Sequence, residues 1–136
     1  GSFYLQRQKI ESPAFFVSLV CALALFSLAI VNEIPDYYQD RLVGKRNLVV
    51  RLGQKKALEL LTLSLSMLFL LLAGTIIFKK VPLLGTAAFL FLPALYKSLK
   101  MARRDHNNPK VFKGMINTTI VIYLAIAFSL TIGYLI

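Results

Sequence analysis

The chain has 136 residues, of which 57% are hydrophobic and only 16% charged, with 16 Lys and Arg against 6 Asp and Glu, a formal charge of +10. A soluble domain carries about 25% charged residues, so this composition points to a membrane. It excludes a disordered chain, which lacks apolar surface to bury, and the single cysteine excludes a disulfide scaffold.

The first apolar run, Pro13 to Val31, reads PAFFVSLVCALALFSLAIV. It is too long for the apolar region of a cleavable signal, and no small-residue cleavage site follows it. Three further runs appear at Leu60–Phe78, Val81–Tyr96 and Gly114–Ile136. A bilayer core needs roughly 20 apolar residues per helix, and three of the four runs meet that. The third is shorter, but Lys97 and Lys100 can snorkel and extend it. Its Pro82, Gly85 and Pro93 predict a kinked helix packed on neighbours. The runs are apolar all round, whereas a soluble helix shows a polar stripe. The expected architecture is an all-α integral membrane bundle in one domain, with four transmembrane helices near 13–34, 58–78, 81–99 and 114–136.

The charges lie in the connections. Arg41, Lys45, Arg46, Arg51, Lys55 and Lys56 fall in the first loop, and Lys97, Lys100, Arg103, Arg104, Lys110 and Lys113 in or beside the third. With four spans these twelve positives share one face, against four (Arg7, Lys9, Lys79 and Lys80) on the other. The positive-inside rule places the richer face in the cytoplasm. Basicity is thus explained by topology and anionic lipid rather than by nucleic acid.

The loop at about 35–57 is the segment with chemistry. From Asn32 it reads NEIPDYYQDRLVGKRNLVVRLG. Asn32, Asp36 and Asp40 recur every four residues; on a continuous helix they would share a face, drifting about 40° per step, and Pro35, which cannot donate the helical hydrogen bond, is expected to kink the entry. Two carboxylates on one face repel and resist desolvation, so a cation between them is the natural partner. Carboxylate and amide oxygens suit Mg²⁺, which keeps waters and shares its shell with phosphate. Lys45, Arg46 and Arg51 follow as candidate phosphate contacts, and Gly44 permits a close turn between acids and bases. The plainer alternative is a solvated helix end with local ion pairs. Tyr37 and Tyr38 could face a cation by their π clouds, but interfacial anchoring explains tyrosines at a membrane mouth better.

The segment closely resembles the second aspartate-rich motif of the UbiA-type intramembrane prenyltransferase superfamily. The resemblance covers Asn32, Asp36, Asp40, Gly44, Lys45, Arg46, the LVVRLG run and the spans after it. Gly1 to Gln6, with Tyr4 and Gln6, is similar to a stretch found before this helix in naphthoate-type members. The resemblance implies the C-terminal part of a nine-helix bundle whose cavity opens to the cytoplasm. It implies transfer of a polyprenyl group from polyprenyl diphosphate to an aromatic quinone precursor, 1,4-dihydroxy-2-naphthoate or 4-hydroxybenzoate. Asp36 and Asp40, with Asn32, would be Mg²⁺ ligands. Lys45, Arg46 and Arg51 would contact diphosphate. Tyr4, Gln6, Glu33 and Tyr37 would lie near the substrate pocket. The location implied is a bacterial or archaeal inner membrane, with the motif loop in the cytoplasm.

One departure stands out. The first family motif, N-D-x-x-D-x-x-x-D, does not occur in these residues, so the reading expects it on a missing N-terminal part. The opening string of CDP-alcohol phosphotransferases is absent too, and soluble prenyl synthases are not this hydrophobic. The non-enzymatic alternative is a membrane scaffold or assembly piece. Elsewhere, His106 and Asp105 are expected in a solvated loop, Cys21 in packing, and Asn117 facing the bundle. Ser18, Ser27, Ser64, Ser66, Thr118 and Thr119 are expected to bond local carbonyls or pack helices.

Overall fold

A computed structural model of the chain describes residues 12–78, 83–105 and 108–135. Tyr4 and Gln6, the Lys79–Lys80 turn and His106 lie outside the described residues. In chain order the elements are α1 (Ser12–Glu33), α2 (Tyr37–Leu42), α3 (Leu48–Leu52), α4 (Gln54–Ile77), a 3-10 segment (Leu83–Phe91), α5 (Leu92–Arg104) and α6 (Pro109–Leu135). No strand occurs among the described residues.

Three helices are long and apolar enough to cross a bilayer: Ser12–Glu33, Gln54–Ile77 and Lys110–Ile132. At 1.5 Å per residue each rises at least about 33 Å, more than a hydrocarbon core of about 30 Å. Each is apolar all round but packs by one stripe. On α4 the buried set is Ala57, Leu58, Leu61, Ser64, Leu65, Leu68, Phe69, Leu72 and Thr75, the alternating three- and four-residue spacing of a helix–helix seam. On α6, Phe112, Met115, Thr119, Ile122, Ile126 and Leu130 repeat the pattern. The other faces expose Leu63, Met67, Leu70, Leu124 and Phe128. In water such a surface would be an aggregation patch; in lipid it is solvated.

α1 sits between α4 and α6, while α6 also carries the 3-10 segment and α5. Ser27 Oγ of α1 and Ser64 Oγ of α4 lie 2.9 Å apart in the buried seam, which requires small residues on both helices. The expected carbonyl bonds form too: Ser18, Ser27, Ser66, Thr118 and Thr119 each donate to a carbonyl three or four residues back. Asn117 differs from expectation. It is exposed on the outer side of α6, while its neighbour Thr119 takes the inward position.

The helices also overrun the apolar runs. α4 starts at Gln54, so Lys55 and Lys56 are helical, and α6 starts at Pro109, where a missing N–H costs nothing. Long cationic side chains can remain helical while their charges reach the headgroups. The third run forms no single long α-helix. Leu83–Phe91 is 3-10 and α5 follows. Pro93 falls in the first turn of α5 and has no N–H to continue an α-ladder from the preceding turn. α5 turns Leu95 and Ala102 into the core and leaves Tyr96, Lys97, Lys100, Arg103 and Arg104 exposed.

Candidate functional site

The motif loop is built from a broken helix. α1 makes its last α-type bond from Ile34 N to Ile30 O, 3.2 Å. Pro35 has no N–H to offer Val31, and the chain turns through residues 34–36 before α2. Tyr37 N to Ile34 O, 3.3 Å, closes the turn. Asn32, Asp36 and Asp40 therefore do not sit on one continuous helix. Asn32 and Asp36 are exposed, Glu33 is half-buried, and Asp40 is buried at 8% exposure. Asp36 and Asp40 remain one helical turn apart, with Asp40 N donating to Asp36 O at 2.8 Å.

Asp36 is the N-cap of α2, and its side chain makes no capping bond. Its carboxylate is thus an exposed oxygen donor at the helix N-terminus. Asp40 is engaged. Its Oδ1 meets Lys45 Nζ at 2.9 Å, and its Oδ2 accepts from Asn47 Nδ2 at 2.7 Å. Its backbone carbonyl accepts from Lys45 N at 2.9 Å. The reversal between these partners runs through Gly44 at φ +73°, a left-handed conformation that glycine adopts without steric cost. The expected turn glycine is where the chain needs it.

Asn47 is the residue that sequence reasoning missed. Its Oδ1 accepts from Val50 N at 2.8 Å and so caps α3, while its Nδ2 holds Asp40. The signal was present: an Asn just before the apolar Leu48-Val49-Val50 is an N-cap pattern. Gln54 was missed as well. Its Nε2 reaches Ile34 O at 3.4 Å, tying the start of α4 to the end of α1. Val49, fully buried, anchors α3, and Gly53 at φ +82° ends α3 and opens α4.

The basic residues separate into one engaged and two outward. Lys45 is raised above the ordinary 10.5, first by its hydrogen bond to Asp40, then by the charges of Asp40, Asp36 and Glu33. A raised lysine stabilises the fold below the unfolded value and loses that contribution as pH rises through the folded one. At neutral pH, Lys45 is therefore fully charged. Arg46 and Arg51 are exposed, with Arg51 in the last turn of α3. Tyr37 is half-buried against the core and accepts from Arg41 Nη1 at 3.4 Å. Its ring meets Tyr38 edge-on with centroids 5.1 Å apart, and Tyr38 is 56% exposed. Asp105 bonds Asn108 Nδ2 at 3.1 Å, whereas Arg103 turns to Thr62.

No group of three or more His, Cys, Asp or Glu is placed to hold a metal among the described residues. The two aspartates still fit a hard cation that takes few protein ligands. Asp36 offers an exposed carboxylate. Each bonded oxygen of Asp40 retains a second lone pair. Mg²⁺ commonly completes its shell with water and phosphate oxygens.

The family model of the UbiA prenyltransferase family matches residues 1–120. The chain belongs to this family. Two curated relatives are both 1,4-dihydroxy-2-naphthoate octaprenyltransferases. That of Bacillus subtilis (strain 168) is 28% identical over 76 residues, covering 56% of this chain and 24% of the relative. That of Escherichia coli (strain K12) is 28% identical over 120 residues, covering 88% of this chain and 39% of the relative. The chain thus spans about two fifths or less of the curated relatives it matches. No solved structure matches it significantly.

Proposed function

We propose that this chain supplies the second aspartate-rich half of an intramembrane prenyltransferase site. The reaction is transfer of a polyprenyl group from polyprenyl diphosphate to an aromatic precursor in quinone biosynthesis, with 1,4-dihydroxy-2-naphthoate as the first acceptor to test. The observation that carries it is the Asp36–Asp40 pair, one carboxylate exposed and one held in place, at the mouth of a membrane helix. Family membership and the naphthoate octaprenyltransferase relatives support the substrate class.

In this reading Asp36 and Asp40, with the side-chain amide oxygen of Asn32, would hold Mg²⁺ against the donor diphosphate. The ion, when bound, neutralises charge on the leaving diphosphate. Arg46 and Arg51 point outward from the loop and would add hydrogen bonds to the same oxygens. Lys45 holds Asp40 in place and contributes its own charge. Glu33 and Tyr37 border the mouth, and the apolar helix faces keep water from the allylic cation. Tyr4 and Gln6 would complete the acceptor side.

The same reading assigns the third apolar run to a fourth crossing. The 3-10 segment and α5 together rise about 37 Å, enough for the hydrocarbon core. The chain then corresponds to the rear helices of a nine-helix bundle, with its motif loop toward the cytoplasm.

A scaffold without catalysis is the second reading. It is favoured by the Asp40–Lys45–Asn47 bonds, which a purely structural loop would also use. Prenyl transfer by Asp36→Ala and Asp40→Ala separates the two, measured in an assembly that also carries a first aspartate-rich motif. Catalysis predicts a loss of about a hundredfold or more for each, the scale of removing a group that stabilises transition-state charge. A scaffold predicts near-normal transfer for Asp36→Ala, whose side chain caps nothing.

A further inference from the structure

A second charged feature lies away from the aspartates. Lys55, Leu58 and Glu59 of α4 and Arg103 and Arg104 of α5 line a cleft of about 540 Å³. A smaller one of about 200 Å³, lined by Thr62, Tyr96, Leu99, Lys100 and Arg103, adjoins it through Arg103. Arg103 is fixed in this position. Its Nη2 donates to Thr62 Oγ1 at 3.1 Å, while Thr62 donates to Leu58 O at 2.7 Å. A guanidinium has five N–H donors, so donors remain for an anion.

The groove changes character along its length. Lys55 is in the first turn of α4, whereas Thr62 is about 12 Å from Gln54 along the axis. The charged end therefore lies at headgroup level, and the Tyr96 and Leu99 end lies toward the hydrocarbon. Tyr96 is 69% exposed, as suits a ring at the interface. An anionic head with an apolar tail matches this gradient. Glu59 on the same wall opposes the build-up of negative charge. It suits the single charge of a phosphodiester better than the higher charge of a diphosphate.

We propose that the groove between α4 and α5 binds an anionic glycerophospholipid. Its phosphodiester lies among Lys55, Arg103 and Arg104, and its glycerol and acyl end follows Tyr96 and Leu99. The groove is separate from the Asp36–Asp40 site and stands whether or not that site is catalytic.

The test is lipid retention by the purified full chain in detergent, read by native mass spectrometry with phosphatidylglycerol or phosphatidylcholine added. Wild-type chain is expected to retain phosphatidylglycerol in preference to phosphatidylcholine. Arg103→Gln with Arg104→Gln is expected to weaken that retention about thirtyfold, since each basic group near a lipid headgroup contributes about 1 kcal/mol. Lys55→Gln, which leaves the Arg103–Thr62 bond in place, is expected to weaken it about fivefold and covers the case in which the double variant fails to fold. Lys110→Gln with Lys113→Gln removes equal charge outside the groove and is expected to change retention less than twofold. Equal loss in the two double variants would reduce the effect to general surface charge and overturn the site. So would competitive displacement of phosphatidylglycerol by geranyl diphosphate, which would assign the groove to the prenyl donor.

Discussion

Asp40 is held from across the turn at Gly44 by Lys45 on one oxygen and Asn47 on the other. The i, i+4 spacing of the aspartates was legible, and so was a glycine turn before the basic cluster. The kink at Pro35 was legible as well, but not that it parts the three acceptors into two exposed positions and one buried one. Nor could spacing show that Asn47 bonds Asp40 and α3 together, because that needs the chain to reverse at Gly44. Asn47→Ala removes a cap and leaves one oxygen of a buried carboxylate without its donor. The expected cost is about 1–2 kcal/mol. Hydrogen exchange at the Val50 amide checks it: exchange should accelerate about tenfold or more, while amides in the middle of α4 stay unchanged. Unchanged protection at Val50 would mean the cap carries little.

Apolar length alone made α1, α4 and α6 visible as elements, since lipid demands long runs that satisfy their own backbone. Their ends were less visible. Lys55, Lys56, Lys110 and Lys113 read as loop residues, yet they belong to helices that continue into the headgroup layer. The prolines and glycine of the third run predict a kinked span, and the structure has a 3-10 segment joined to an amphipathic α5. Which stripe of each helix packs inward was not legible, because an all-apolar helix has no polar face to orient it. Small polar residues supply part of that information. Ser27 and Ser64 meet across the α1–α4 seam, and a double-mutant cycle with Ser27→Ala and Ser64→Ala should give a coupling of about 0.6 kcal/mol, the average for interhelical bonds in membranes. Steric trapping in bicelles measures it, and zero coupling would show that the hydroxyls bond only their own carbonyls.

Across the whole molecule, the distribution of cations anticipated which connections lie together. Their pattern predicts the first and third loops on one face, and one cleft is lined by Lys55 and Glu59 from the start of α4 and Arg103 and Arg104 from the end of α5. The aspartate loop hangs from the same end of α4, tied by Gln54 to the close of α1. The basic cleft and the acidic loop thus lie at one end of α4 as two separate features, and the proposed function gives a divalent cation to the loop alone. The central claim is that Asp36 and Asp40 hold that cation. It is tested most directly by the Mg²⁺ dependence of prenyl transfer for wild type, Asp36→Asn and Lys110→Gln, each assembled with a first aspartate-rich motif. The account predicts that Asp36→Asn raises the half-maximal Mg²⁺ concentration at least about tenfold, the loss of one charged ligand, while Lys110→Gln leaves it at the wild-type value. An unchanged Mg²⁺ requirement in Asp36→Asn would contradict it.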